Sequence, residues 1–442
     1  MGLLSAEKRM TLVSCLGAYF LSMAMIYQMS PFFQMYARET CGASTATVGL
    51  IFAAMPSACF VGNLPMDRML TRFGVEAMLN SGLLLLAVAS VGFGLSDSVA
   101  GWMFWRSLQG LATAPIYTSI STRLARSFTG EGEFNRVVGL QEVCGNVGVT
   151  IGPFLGGTLF QHGGFFLPFA VSAVLHVIFL LVTLWQDTRR SQARPLVEGE
   201  EAEDLQDDPS VTVGRVSSCR VLLLGGISGL CLGVWGGYEP ILGDYFHRVL
   251  GPISQTLTGF LMSLSAVPST FVTMAVPFIA ERLGPQVPIT AGLLIYGTGC
   301  ALLGSASVLP PWPAVISGLL LVGSGWALCW TPVLPTMVET AAARLRQSSG
   351  TSIEVARHQV SPPVSSLFNA AAALGEALGP TLGTALLAGA GFQEGSLFLA
   401  IFLTIYAAAT HATHRVEVEK PKVQATHTQT HLHSVLPRSV SL

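Results

Sequence analysis

The sequence predicts an all-α membrane protein in which twelve transmembrane helices form two pseudo-symmetric six-helix bundles. Only 11% of its 442 residues are charged and 51% are hydrophobic, whereas soluble domains carry about 25% charged residues. The core of one soluble globular protein cannot bury so much apolar surface, so lipid is the expected solvent. Two further observations support this prediction. Long apolar runs recur along the chain, and a charged segment interrupts them near its middle.

Twelve apolar runs have about the length of a membrane-spanning helix, which needs roughly 20 mostly apolar residues. They lie near residues 10–30, 46–66, 77–95, 101–125, 137–160, 165–185, 219–241, 256–279, 288–308, 313–338, 362–388 and 395–412. The first run is too long for a secretory signal and no small-residue cleavage pattern follows it, so we expect it to be retained. An even number of spans places both termini on one side.

The basic residues predict the orientation of these helices. Of 23 lysines and arginines, all but Arg38, Arg106 and Arg248 fall on the side of the termini. Basic residues accumulate on the cytosolic side of membrane proteins, so we expect both termini in the cytosol. Whether the membrane belongs to a vesicle, another organelle or the cell surface stays open.

A charged segment divides the chain into residues 1–185 and 218–412, each with six predicted helices. Residues 186–217 carry arginines followed by a run of seven acids, namely Glu198, Glu200, Glu201, Glu203, Asp204, Asp207 and Asp208. Such a composition cannot bury a core, and we expect a flexible cytosolic linker. Residues 413–442, which hold five of the nine histidines, are expected to form a disordered cytosolic tail.

The two halves resemble copies of each other. The run Gly152-Pro153-Phe-Leu-Gly156 recurs as Gly379-Pro380-Thr-Leu-Gly383. The run Thr71-Arg72-Phe73-Gly74 recurs as Glu281-Arg282-Leu283-Gly284. Duplicated halves are typical of transporters whose site lies between them. We expect the two matching turns either to hold the closed gate or only to follow the charge asymmetry.

The fifth predicted helix carries a glycine-rich pattern formed by Gly148, Gly152, Pro153, Gly156 and Gly157. A glycine every four residues lets a neighbouring helix approach closely, and a proline inside the helix bends it. We interpret the pattern as a point at which the bundle rocks. The alternative is a general seam of small residues.

Two motifs resemble those of the major facilitator superfamily, and the resemblance covers residues 10–412. Arg106-Ser-Leu-Gln109-Gly110 is similar to the family's Arg-xx-Gln-Gly motif on the fourth helix, and the run from Gly148 to Gly157 is similar to its antiporter motif. Shorter matches at 30–33, 139–142 and 238–242 are nearest to the vesicular amine and drug:proton antiporter branch, of the vesicular polyamine transporter type. The resemblance implies exchange of protons for an organic cation.

The chain also departs from the family pattern. Thr71 stands where the loop motif has an aspartate, and Asp67 stands where it has a glycine one turn earlier, so Asp67 is a candidate replacement for the gate charge. Monoamine transporters carry a carboxylate on the first helix, which is absent here, and an aspartate on the eleventh, where this chain has Asn369. These departures count against a monoamine substrate.

Away from the ends of the predicted spans, four charged residues lie inside them: Arg106, Glu142, Glu239 and Glu376. A charge at mid-membrane costs roughly 2.5–3.5 kcal/mol on insertion scales, so each is a candidate functional residue. Their depth along the helices places Arg106 within reach of Glu239 but not of Glu142. The alternative for each acid is a structural pairing with Arg106 or a cap on a bent backbone.

Glu142 and Asn369 are related by the internal repeat, because each lies eleven residues before the proline of its half. Eleven residues are about three helical turns, so we expect both side chains on the face that lines the central cavity. Glu376 lies one turn before Pro380 and nearer mid-membrane. A carboxyl group there favours its neutral form until water or a cation arrives, so it can trade a proton for a cationic solute.

Weaker candidates are a histidine and several aromatic residues. His176 is central on the sixth helix and either relays protons or bonds to a backbone carbonyl. The aromatic residues form either a cation-π surface for an ammonium group or ordinary packing; they are Tyr19, Tyr27, Trp235, Trp326 and Trp330.

The sequence therefore predicts a multi-pass transporter, acting as a monomer on protons and a small solute, with an organic cation or polyamine favoured. No Ser/His/Asp, HExxH or phosphate-loop pattern indicates an enzyme. The cysteines form no CxxC pair, and we expect neither a metal nor another cofactor. The basic residues are scattered at helix ends, which argues against nucleic-acid binding. Two alternatives stay open: a passive facilitator of a neutral solute, and a non-transporting receptor or scaffold.

Overall fold

The computed structural model describes residues 6–128, 131–193, 218–350 and 352–433, and their regular structure is helical. The first half consists of α1 (Ala6–Tyr27), α2 (Phe33–Cys41), α3 (Thr45–Asn63), α4 (Met66–Phe73), α5 (Val75–Leu95), α6 (Val99–Ser127), α7 (Glu131–Gly163) and α8 (Phe166–Ala193). The second half consists of α9 (Cys219–Leu250), α10 (Gln255–Ser263), α11 (Ala266–Leu283), α12 (Gln286–Gly304), α13 (Pro311–Trp330), α14 (Val333–Ser349), α15 (Ile353–Gly389) and α16 (Phe392–His433).

Eleven stretches of the described chain are long and apolar enough to cross a membrane. The predicted span that falls outside this set is α6, which has 29 residues and carries Arg106, Arg123 and Arg126. These charges lower its hydropathy, but α6 packs between α3 and α5 inside the first bundle. The all-helical architecture of two bundles agrees with the fold class predicted from the sequence.

Two predicted boundaries differ from the structure. The linker expected from residue 186 begins later, because α8 continues to Ala193 and its polar residues find partners inside the bundle: Ser14 donates to Gln186 (3.0 Å) and Arg123 pairs with Asp187 (2.8 Å). Residues 194–217, including the acidic run, lie outside the described residues. The last helix has its bounds at Phe392 and His433, beyond the end expected at residue 412, and the disordered tail stays a prediction.

Side-chain contacts define the two ends of the molecule. The start of α1 lies beside the ends of α6 and α8, and Arg220 at the start of α9 bonds His414 on α16 (2.6 Å). We call this end the terminal side and the opposite end the far side. The thiols of Cys41 and Cys219 are both exposed, the first at the far side and the second at the terminal side.

The two halves meet at the far side. There α3 packs on α15 and α7 packs on α10. The Thr256 hydroxyl donates to Gln161 (2.9 Å), and Arg38 pairs with Asp244 (3.5 Å). Backbones are in direct contact where Gly243 lies against Pro31 and Gly259 against Pro153. This conformation is therefore closed on the far side, with the space between the halves directed to the terminal side.

Candidate functional site

A small cavity lies between the halves. The first half lines it with Ile26, Tyr27, Phe52, Met55, Pro56 and Arg106, and the second half lines it with Leu232, Trp235, Gly236, Glu239, Glu376 and Pro380. The centre of a water molecule can reach about 30 Å³ of it, which is room for only a few waters. Two acids, one arginine and three aromatic rings thus share one confined space.

Arg106 is buried at the wall that α6 contributes to the cavity. Its guanidinium donates to Gln109 Oε1 (2.9 Å) and to the Ile26 carbonyl (3.2 Å). Gln109 lies one turn along the same helix, and Ile26 is at the end of α1, where carbonyls lack helical partners. Helix geometry therefore holds the guanidinium with its charge directed toward the acids.

Glu239 lies on α9 and is 7% exposed. Its carboxylate accepts a hydrogen bond from the Ser30 hydroxyl of the other half. The sequence predicted that Arg106 would come within reach of Glu239, and both side chains do line one cavity. Among the described residues, however, they form no ion pair within 4 Å, because each is engaged with another partner.

Glu376 is half-buried on α15 and lies between the two halves. It interacts electrostatically with Arg106, Tyr19 and Tyr27 of the first half. Within the described part of the chain we find no hydrogen bond or ion pair to its carboxyl group. This group is therefore the one in the cavity whose oxygens stay available to a solute or a proton.

Glu142 and Asn369 lie outside the closed cavity, and both side chains are exposed. Glu142 interacts electrostatically with Tyr19, which also interacts with Glu376, so it is close to the same space on the terminal side. Asn369 precedes Glu376 by seven residues, or about two turns, and shares its helix face. Their predicted roles in binding stay predictions.

The glycine-rich pattern of α7 contacts both halves. Gly148 and Gly152 lie against the backbone of α1, where an added Cβ would come within 2.6 Å and 2.5 Å of the carbonyls of Phe20 and Ala24. Gly156 continues this row against Gln28. On another side of α7, Pro153 contacts Gly259 and Gly157 contacts Gln255, both in the second half. The pattern is a packing seam within its bundle and a contact across the two halves, and its hinge role stays a prediction.

The repeated pattern on α15 packs in the matching way. A Cβ at Gly379 would come within 2.5 Å of the Gly233 carbonyl on α9, while Pro380 lies beside Gly49 of the first half. In each half, then, the fifth helix of the repeat packs on the first, and its proline faces the other half.

The predicted gate turns lie on the terminal side, with exposed side chains at Thr71, Arg72, Glu281 and Arg282. Gly74 and Gly284 close these turns with φ of 86° and 82°, a region that favours glycine. The matching angles support the repeat relationship. The Asp67 side chain lies outside the described part, and the gating roles of all these residues stay predictions.

Ser30, which donates a hydrogen bond to the cavity residue Glu239, was not identified as functional from the sequence. The sequence showed Ser30 only as the first residue of the short family match at 30–33, whereas its partner Glu239 is 209 residues away. Of the two alternatives for His176, the structure has the bond to a backbone carbonyl, because its Nδ1 lies 2.7 Å from the Ser172 carbonyl oxygen. Trp235 and Tyr27 line the cavity.

The remaining aromatic candidates are not among the residues that line the cavity. Tyr19 contacts Tyr117 of its own half, with ring centroids 5.3 Å apart. Trp330 contacts the ring of Phe368 with centroids 5.1 Å apart, and Trp326 contacts Trp330 at 6.0 Å. In the described part of the chain no three His, Cys, Asp or Glu side chains come together to bind a metal ion.

Comparisons with known proteins agree with this geometry. The sequence profile of the Major Facilitator Superfamily matches residues 15–358. The chain is 23% identical over 388 residues to the vesicular acetylcholine transporter of Torpedo torpedo, covering 85% of this chain and 69% of that protein. It is 24% identical over 450 residues to the human MFS-type transporter SLC18B1, covering 95% and 90%.

A solved structure also shares the fold. A bacterial homologue of the human lysosomal transporter Spinster, in an inward-facing and occupied conformation, superposes with a TM-score of 0.71. That match covers 91% of this chain and 96% of the other at 15% identity. At this identity the likeness shows the fold alone.

Proposed function

Because the chain belongs to the major facilitator superfamily and is a multi-pass membrane transporter rather than an enzyme, we propose that it exchanges an organic cation for protons by alternating access. A polyamine or a similar amine is the favoured solute. The two halves rock about the cavity so that it opens to each side of the membrane in turn.

The observation that carries this proposal is the charge arrangement in the cavity. Glu239 and Glu376 come from one half and face a single arginine from the other. Arg106 uses donors on Gln109 and the Ile26 carbonyl, so it does not neutralise both acids by direct pairing. A confined site with more acids than bases favours a cation, either a proton or a solute.

The roles of the residues follow from their positions. Glu376 takes up the proton or the solute cation, because its carboxyl oxygens are uncommitted. Trp235 and Tyr27 place aromatic rings beside the same space, where they stabilise an ammonium group by cation-π attraction. Glu142 adds negative charge near the terminal-side approach and attracts a cation before it enters.

The relatives support the same class of solute. Acetylcholine is an organic cation with a quaternary ammonium group, and a transporter of it aligns with most of this chain. The first apolar run, residues 10–30, lacks the carboxylate that the monoamine transporters carry on their first helix, and Asn369 replaces their aspartate on the eleventh helix. These differences favour an amine other than a monoamine.

Purified protein in vesicles with an imposed pH gradient tests the proposal. We expect uptake of a labelled polyamine to follow the gradient and to fall at least about tenfold in Glu376→Gln, which removes the charge but retains the shape. Glu142→Gln should raise the solute concentration needed for half-maximal uptake, since it removes only the approach charge.

The controls distinguish the alternatives. Flux of a neutral sugar that ignores pH would indicate a passive facilitator and contradict proton exchange. Absence of counterflow for amines, sugars and organic anions alike would indicate a receptor or scaffold on the same fold.

A further inference from the structure

The hydrogen bond between Ser30 and Glu239 joins the two halves of the protein inside the membrane. Ser30 is 2% exposed in the turn between α1 and α2 of the first bundle, and Glu239 is 7% exposed on α9 of the second bundle. It lies on the cavity side of the far-side contacts, which continue outward through Gly243 against Pro31 to the pair Arg38 and Asp244. This contact is therefore the inner layer of the far-side closure.

Among the described groups that face Glu239, the Ser30 hydroxyl is the one that donates a hydrogen bond to its carboxylate. Arg106 on α6, Glu376 on α15 and Tyr27 on α1 all interact with it electrostatically. Arg106, however, donates to Gln109 and Ile26, and Glu376 carries the same charge as Glu239 when both are ionised. When the halves part at the far side, Ser30 moves away with α1 and the carboxylate loses its hydrogen-bond donor.

The strength of this contact depends on the charge of Glu239. A hydrogen bond to an ionised carboxylate is roughly twice as strong as one between neutral groups. A buried carboxylate that loses its donor also bears a desolvation penalty, which a neutral carboxyl group largely avoids. Parting the halves is therefore hardest when Glu239 is ionised and unoccupied, and easier once a proton or a cation neutralises it.

We propose that Ser30 is a positioning residue that couples the charge of Glu239 to closure of the far side. The inference rests on the proposed exchange function and deepens it. In the empty, deprotonated carrier the bond holds the far side shut, so the carrier cannot reorient without cargo. A proton added to the Glu239 carboxylate, or a cation beside it, weakens the bond and permits opening. Ser30 thus limits the uncoupled return that would dissipate the gradient.

Spin-label distances across the far side, from α2 to the loop between α9 and α10, test this inference without any solute. In the wild-type protein we expect the far-side-open population to rise as pH falls from about 8 to about 5.5. In Ser30→Ala the ratio of far-side-open to far-side-closed protein should change about tenfold less than in the wild type over this pH range, because the charge-dependent hydrogen bond is gone. Ser30→Thr retains a hydroxyl and should restore the pH dependence.

A matched control is Thr256→Val, which removes a second far-side hydrogen bond between the halves, to Gln161, without an ionisable partner. It should shift the open population equally at every pH. The proposal is overturned if Ser30→Ala keeps the wild-type pH dependence, or if Thr256→Val flattens it equally. Failure of the wild type to exchange amines would refute the proposed function instead, and the distance measurement does not depend on that result.

Discussion

Gly156 of α7 lies directly against the backbone carbonyl of Gln28, the residue that follows α1, with no space for a Cβ atom between them. The contact ends a row that begins with Gly148 and Gly152, so the backbones of α1 and α7 run against each other for two turns. The same helix presents Pro153 to the second half. Small residues therefore fix the distance between two helices whose joint movement alternating access requires.

Substituting Gly156 tests how tightly this seam is packed. Gly156→Ala should lower the midpoint of thermal unfolding in detergent by at least about 3 °C, because overpacking a close backbone contact costs about 1–3 kcal/mol. Gly139→Ala is the matched control on the same helix, since nothing lies within 4 Å of its Cβ position. It should leave the midpoint unchanged or raise it slightly. Equal effects of the two changes would contradict the seam.

The ion pair between Arg123 and Asp187 should stabilise the first half. Arg123 is 2% exposed and Asp187 is 17% exposed in the pair. Asp187→Ala leaves a buried guanidinium without its carboxylate, and we expect the free energy of unfolding to fall by about 2 kcal/mol or more. The comparison is Glu339→Ala, which breaks the ion pair with Arg357. In that pair the Glu339 side chain is 52% exposed and the Arg357 side chain is 48% exposed. That change should cost less than about 1 kcal/mol, as measured by denaturant unfolding in mixed micelles.

Glu376 should control transport but not folding. Glu376→Gln should abolish accumulation against a solute gradient while the unfolding midpoint stays within about 2 °C, because among the described residues the carboxyl group makes no hydrogen bond or ion pair that the amide would lose. Glu394→Gln, on an exposed side chain of α16, is the control and should accumulate solute at the wild-type rate. Retained accumulation in the Glu376 variant would exclude this carboxyl group as the exchange site.

Transport should be sensitive even to a conservative substitution at Arg106. Arg106→Lys supplies a single ammonium group in place of the planar group that reaches Gln109 and the Ile26 carbonyl together, and lysine does not reproduce such geometry. We expect transport to fall about tenfold with solute binding retained, which equilibrium binding and uptake on the same preparation measure separately. Arg346→Lys, exposed on α14, should leave both within about twofold.

The sequence was informative where a local pattern carries the signal. Arg106 and Gln109 are three residues apart on one helix, and the glycines of α7 recur every four residues, so helix periodicity alone places each set on one face. Gly74 and Gly284 were paired by the repeat, and their matching positive φ angles agree with it.

Contacts between distant segments could not be predicted in this way. Ser30 meets Glu239 across 209 residues, and the depth of a residue in its helix does not specify which donor it will meet. The depth of Arg106 and Glu239 in their helices predicted that they lie beside one cavity. It did not predict that each would bind a different partner. The linker boundary was misplaced because Gln186 and Asp187 look like solvent-exposed residues in sequence, whereas Ser14 and Arg123 bind them in the bundle.

The two exposed thiols have a practical consequence. Cys41 is on the far side and Cys219 on the terminal side, whereas Cys231 and Cys329 are buried, with sulfur atoms 3.4 Å apart. A membrane-impermeant maleimide added outside intact vesicles should modify one exposed thiol and spare the other. The unaltered polypeptide thus contains its own chemical markers of sidedness, and mass spectrometry of the alkylated peptides would read out which face each end of the bundle occupies.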